Sequence, residues 1–200
     1  ICAVPSFYYQ IGFDQVKDVF KRLVDAVSIP VWVYNNPPTT RVTMTVDLIV
    51  QLAELGTKGF KDSSASLKLF QDVLQAVDRD DFTIMQGTPF LAFPSFIAGA
   101  DGYIGGLATV YPQFLKAMFV AVKEGDAKRA VELERATPEL FALTGGPFAL
   151  TKQHAVLRAR GCNAGQPRSP FAPVTAAEMD WAKQAAKRAD ELLQSLGLPL

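Results

Sequence analysis

The sequence predicts an α/β protein: consecutive βα units around a parallel sheet, followed by a region of helices alone. Three observations carry this reading. From Ile1 to Gly106, short apolar runs alternate with stretches whose apolar residues recur every three or four positions, the cadence of right-handed βαβ units. One of the runs, Val31 to Asn36, is apolar toward both sides, as a sheet covered by helices requires. From Pro112 onward the strand-like runs stop and only helical patterns continue.

The elements follow in order. ICAVPS is the first strand, SFYYQIG a loop, and Asp14 opens a helix with Val16, Val19, Phe20, Leu23, Val24 and Val27 on one face. Pro30 ends the connection, Val31 to Asn36 is the second strand, and NPPTT reads as loop. Thr45 is placed to cap the next helix, whose apolar face is Leu48, Ile49, Leu52 and Leu55 and whose end is marked by Gly56. Gly59 to Ser63 is the third strand, Ser66 to Val77 a helix through Leu67, Phe70, Leu74 and Val77, and Phe82 to Gly87 the fourth strand. Phe90 to Ala98 reads as a very apolar helix in which Pro94 is tolerable only near the first turn. Gly102 to Gly106 is the fifth strand. Helices are then expected over Pro112 to Lys123, Ala127 to Arg135, Leu150 to Arg160 and Thr175 to Leu196, the last opened by the capping box Thr175-Ala-Ala-Glu178.

Composition narrows the class. Two hundred residues, 49% hydrophobic and 20% charged, bury a substantial core. The 20 basic residues balance the 20 acidic ones without a basic stripe to follow a phosphate backbone, which argues against a nucleic-acid partner. Cys2 and Cys162 lie at opposite ends, form no disulfide framework or CxxC pair, and read as inert thiols of a reducing, cytoplasmic compartment. Between Phe90 and Val122 the chain is almost uncharged, yet proline, glycine and Asp101 interrupt it too often for a membrane span. The chain opens directly on an apolar strand without an initiator methionine, so its natural N-terminus is expected to lie outside these residues.

Chemistry concentrates between Val31 and Ser64. Tyr34 stands near the C-terminal end of one strand and Lys61 near that of the next, and in a βαβ unit such ends share one rim of the sheet. Strand alternation puts Gly59 and Ser63 on the face of Lys61, and Phe60 and Asp62 on the face toward the helices. An amine and a phenol on one rim are the ingredients of imine chemistry: the lysine attacks a keto group and the tyrosine moves protons. A lysine needs desolvation or a neighbouring cation to act as a nucleophile near neutral pH. A strand-end lysine that reaches solvent or pairs with Asp62, and a tyrosine with its hydroxyl at the wet edge of a core, fit the same pattern. Asp62 itself reads as a cap for the following helix.

The succession FYY, VYNNPPTT, GFKDSS, QGTP and GADGYIGG resembles the lysine-dependent pyruvate aldolases typified by dihydrodipicolinate synthase and N-acetylneuraminate lyase. The likeness covers essentially the whole chain, and YN-x-P followed by a strand ending in lysine is its specific part. The resemblance implies a (β/α)8 TIM barrel with extra C-terminal helices, and a Schiff base between lysine and pyruvate or another 2-oxo acid. By matching position, Lys61 is the imine-forming lysine, Tyr34 the phenol that shuttles protons, and Tyr8 a loop residue that reaches an adjacent subunit, with Tyr9 the second choice. Ser63, Gly87 and Ile104 match positions that contact substrate or line the site, and Gly106 stands in that set where a relative has serine. The implied partners are a 2-oxo acid, an aldehyde and further copies of the chain, as a dimer or tetramer, with no cofactor and no metal. The sole histidine, His154, lies in the helical tail and reads as a surface or packing residue.

Departures from the family pattern qualify the activity. The synthases keep an arginine after YN-x-P, where this chain has Thr39 with Arg41 two places on; the sialic acid lyases have acidic residues where it has Pro89 and Phe90. A smaller or more apolar aldehyde half is therefore expected, and GTP with KDSS looks more like aldolases acting on 4-hydroxy-2-oxo acids. A dehydratase on deoxy-keto sugar acids, a synthase using the same imine, and an inactive 2-oxo acid binder are the alternatives. The five strands correspond to the family's fourth to eighth, where a complete barrel has eight βα units in ~250 residues. The expectation is a partial barrel over residues 1–124 and a helical region over 125–200. The carboxylate-binding loop of the second strand lies outside them, so these residues alone are expected not to turn over. Either the chain is a piece of a longer protein or a partner supplies the remaining strands; the intact mass of the natural product distinguishes these.

Overall fold

A five-stranded, wholly parallel sheet in the order β1-β2-β3-β4-β5 organises the first part of the chain. The computed structural model describes residues 1–147 and 149–199. They form two compact units, one from Ile1 to Ile104 and one from Gly105 onward.

In the first unit β1 (Cys2–Ala3), β2 (Trp32–Asn35), β3 (Gly59–Asp62), β4 (Thr83–Gln86) and β5 (Gly102–Tyr103) alternate with helices. Val33, Phe60 and Ile84 are buried on one side of the sheet, which is the side the connecting helices cover. Its other side, carrying Trp32, Tyr34 and Lys61, is only half-buried. The apolar character of β2 toward both sides is thus matched by full cover on one side only among the described residues.

Helix α1 (Phe13–Ala26) buries Val16 and Phe20, one turn apart. NPPTT is not loop: α2 (Pro37–Thr40) is a single helical turn, because prolines at its first positions lack only N–H groups that a helix start leaves unpaired. It stops at Arg41, whose φ of 57° is left-handed. The cap expected at Thr45 is present; its side chain accepts from the Leu48 N–H at 3.2 Å, and α3 (Val46–Glu54) buries Leu48, Ile49 and Leu52. The helix α4 (Leu67–Ala76) is capped by Ser66, not by Asp62, and buries Phe70 and Val73. Before α5 (Ala92–Ala98) a 3-10 turn spans Pro89–Leu91, so Pro94 falls in the first turn of the α-helix, where its missing donor is harmless.

The fifth strand is shorter than its sequence suggests. After Tyr103 the chain leaves the ladder, and Gly106 opens α6 (Gly106–Val110) in the second unit. There α7 (Pro112–Lys123), α8 (Ala127–Leu143), α9 (Leu150–Ala159) and α10 (Ala176–Ser195) bury apolar faces, with Phe114 and Met118 on α7, Leu133 and Leu140 on α8, Val156 on α9 and a row of alanines on α10. Helix α8 runs eight residues past Arg135 and through Pro138, burying Leu140 beyond it, a case of packing outweighing the local cost of an internal proline. The capping box of α10 is formed, with the Glu178 N–H on Thr175 Oγ1 and the Thr175 N–H on Glu178 Oε2. Arg160 and Asp190 join α9 to α10 at 2.5 Å. His154 is half-buried on α9. No helix among the described residues is long and apolar enough to cross a membrane.

Candidate active site

Strand register decides which side chains meet. Tyr34 pairs with Lys61, Lys61 with Met85 and Met85 with Gly102; one step on, Asn35 pairs with Asp62, Asp62 with Gln86 and Gln86 with Tyr103. Alternation along a strand sends these two rows to opposite faces. The first lies on the half-buried face near the C-terminal rim, and the Lys61 ammonium sits over the Tyr34 ring, 4.0 Å from its centroid. A cation over an aromatic face is attracted by the ring quadrupole, which fixes the amine beside the phenol. Lys61 does not pair with Asp62, whose carboxylate faces the other way and takes other partners.

The Tyr34 hydroxyl accepts from Ser63 Oγ and from Asn36 Nδ2, each at 3.3 Å. A phenol has one proton to give, and with both neighbours donating, that proton is left for whatever occupies the rim. Tyr34, Lys61 and Ser63 thus converge. Gly87 joins them from β4: its N–H donates to the Asp62 carbonyl at 2.7 Å. A Cβ there would run into Ser63 Oγ and stand 2.8 Å from Asp62 O and 3.1 Å from Lys61 Cε, so Ser63 and the Asp62 carbonyl, with the lysine stem just beyond them, leave no room for a side chain. The Ile104 N–H donates to the Gln86 carbonyl at 2.9 Å, which carries the rim to β5.

Tyr8 and Tyr9 are not brought into this group by any hydrogen bond or ring contact among the described residues. They stand on the loop after β1, 78% and 72% exposed, with their rings edge to face at 4.8 Å. Gly106 belongs to the second unit, where a Cβ would meet the Gln153 side chain.

The second row is what sequence reasoning missed. Asn35, Asp62 and Gln86 are fully buried polar residues in register on the helix-covered side. Asp62 Oδ1 accepts from Asn35 Nδ2 at 2.7 Å and from the Ser64 N–H at 3.2 Å, while Oδ2 accepts from Ser64 Oγ at 2.9 Å. Burial holds its carboxyl above the usual carboxylate range, against the pull of those donors. Gln86 Oε1 accepts from the N–H groups of Gly87 and Thr88, and its Nε2 donates to Ser95 Oγ. The signal was available: each of these residues immediately follows a member of the Tyr34-Lys61-Met85 row. Tyr103 continues the line, and burial, with Tyr34 adding in the same direction, keeps its phenol protonated far above the ordinary value. No cluster of three or more His, Cys, Asp or Glu side chains suited to a metal occurs among the described residues.

The sequence profile of the dihydrodipicolinate synthetase family matches residues 1–189. The chain belongs to this family. Among family relatives, the 4-hydroxy-tetrahydrodipicolinate synthase of Archaeoglobus fulgidus is 30% identical over 199 residues, covering 98% of this chain and 65% of that protein. The N-acetylneuraminate lyase of Clostridium perfringens is 27% identical over 191 residues, 94% of this chain and 65% of the enzyme. The crystal structure of KD(P)GA from T. tenax superposes with a TM-score of 0.82 at 27% identity, over 96% of this chain and 67% of that one. CdNal from Clostridium difficile, crystallised with mannosamine, reaches 0.85 at 24% identity over 94% and 64%, a likeness of fold. The chain spans about two thirds of the length of these relatives.

Proposed function

We propose that the protein is a class I aldolase that joins or separates pyruvate, or a related 2-oxo acid, and an aldehyde through an imine on Lys61. The amine adds to the keto carbon, water leaves, and the protonated imine draws in the electron pair of the breaking carbon–carbon bond. An aldehyde departs, and the enamine left behind takes a proton and is hydrolysed to free the 2-oxo acid and the lysine. Tyr34 is the proton carrier in these steps, and Ser63, Gly87 and Ile104 form the substrate-binding set. The observation that carries the reading is the Lys61 ammonium over the Tyr34 ring with the Ser63 hydroxyl on the phenol. Membership of a family whose relatives include a synthase and a lyase supports it.

In this reading the five strands are the last five of an eight-stranded barrel, and Tyr8 serves the neighbouring subunit of a homo-oligomer. Thr39, Pro89 and Phe90 offer few partners to a polyhydroxylated chain, which favours a small or apolar aldehyde, or a 4-hydroxy-2-oxo acid in the cleavage direction. Borohydride reduction of the full-length protein with pyruvate, followed by peptide mapping, is the test. An adduct on the Lys61 peptide is expected; its absence overturns the imine.

A further inference from the structure

One fully buried carboxyl at the rim has no part in the chemistry above. Asp62 follows Lys61 directly, is fully buried, and points away from the amine, yet it holds the two segments that flank it. Through Oδ1 it ties down Asn35, the residue after Tyr34; through both oxygens it ties down Ser64, the residue after Ser63. Ser64 Oγ in turn accepts from the Ser66 N–H at 3.2 Å, and Ser66 caps α4. The backbone adds a parallel tie, from the Ser63 N–H to the Asn35 carbonyl at 2.8 Å. Tyr34 and Ser63, whose hydroxyls meet above the sheet, are therefore each one residue from a point fixed by the same carboxylate below it.

We infer that Asp62 is a positioning residue for the imine chemistry: by gripping Asn35 and Ser64 together it sets the spacing of the Tyr34 and Ser63 hydroxyls. The inference rests on the aldolase reading of the same site. A buried carboxylate is costly to keep, and packing alone would be served by an apolar side chain at 62. Three donors converge on it instead, and a misplacement of about 1 Å in a reacting group costs on the order of 100-fold in rate.

The two oxygens of Asp62 divide their work in a way that makes a discriminating test. In Asp62→Asn the remaining oxygen still accepts from Asn35 and Ser64, and the new amide donates to the Ser64 hydroxyl, so the grip persists. In Asp62→Ala it is gone. The experiment measures the rate of borohydride-trappable adduct on Lys61, with pyruvate, in the full-length protein. Asp62→Ala is expected to slow trapping 10- to 100-fold, while Asp62→Asn stays within about 3-fold of the parent. In a Tyr34→Phe background the same Asp62→Ala change is expected to cost less than 3-fold, because the group it positions is already gone. Ser64→Ala, at a half-buried site, removes one arm of the grip and provides the same comparison if Asp62→Ala does not fold. Equal losses in the parent and in the Tyr34→Phe background assign Asp62 to general stability and overturn the inference. A parent protein that forms no adduct overturns the aldolase reading and the inference with it, and the two failures are told apart by the parent alone.

Discussion

At the scale of single residues, the phenol of Tyr34 is held by donors on two sides and by an ammonium on its face. Tyr34→Phe keeps the ring beneath Lys61 and removes only the proposed proton carrier, so adduct formation is expected to slow by about 100-fold or more while the adduct still maps to Lys61; Lys61→Ala is expected to give none. Gly87→Ala is expected to slow trapping by at least about 10-fold, since its methyl group meets Ser63 and the lysine stem rather than open space. Rates near the parent's would show that the rim yields more readily than its contacts suggest. Tyr34 and Lys61 were legible in the sequence because alternation and parallel pairing leave little freedom in where strand-end side chains go. Asp62 was not, since an aspartate ahead of a helix also satisfies the pattern of a cap, and only the register with Asn35 and Gln86 reveals a buried row.

At the scale of elements, local signals fixed most helix starts and fewer ends. Thr45, Ser66 and Thr175 cap the helices that follow them, because a side-chain acceptor for a free N–H is a short-range need. Thr175→Ala is expected to cost about 1 kcal/mol by chemical denaturation, because it removes the Oγ1 acceptor of the Glu178 N–H while the backbone arm of the capping box remains. The misread ends were those where tertiary packing outweighed a breaker: α8 continues through Pro138 to bury Leu140, and the pair of prolines after Asn36 begins a turn of helix rather than preventing one. Gly105 and Gly106 look equally suited to a strand end and a helix start, and the chain uses the second.

For the whole molecule, Asp62 links stability to pH. Its folded carboxyl is raised above the ordinary value by burial, so over the interval between the two values the folded state keeps a proton that the unfolded chain has released. The contribution of this group is fully present below about pH 3.9 and is lost as pH rises through the folded value. Asp62→Asn has no such dependence; its Tm relative to the parent is expected to climb as pH is raised from about 3 toward neutrality. Parallel curves would show that the three donors offset the burial. The parallel sheet itself was legible from the cadence of the runs. The half-buried state of its other side among the described residues was not, because an apolar strand looks the same whether or not a second layer lies over it.

The bareness of Gly59 has an optical consequence. Any side chain there would strike the indole of Trp32, so the ring lies against the sheet on the face it shares with Tyr34 and Lys61, two residues before the tyrosine. The chain has two tryptophans, and the other, Trp181, is in the helical unit, with the Lys152 ammonium 5.0 Å from its ring. A Trp181→Phe variant leaves a single tryptophan, on the face that carries the proposed imine-forming amine, and its emission is expected to change as pyruvate is titrated into the full-length protein. The site then carries its own reporter, readable in real time without borohydride and without knowing the aldehyde.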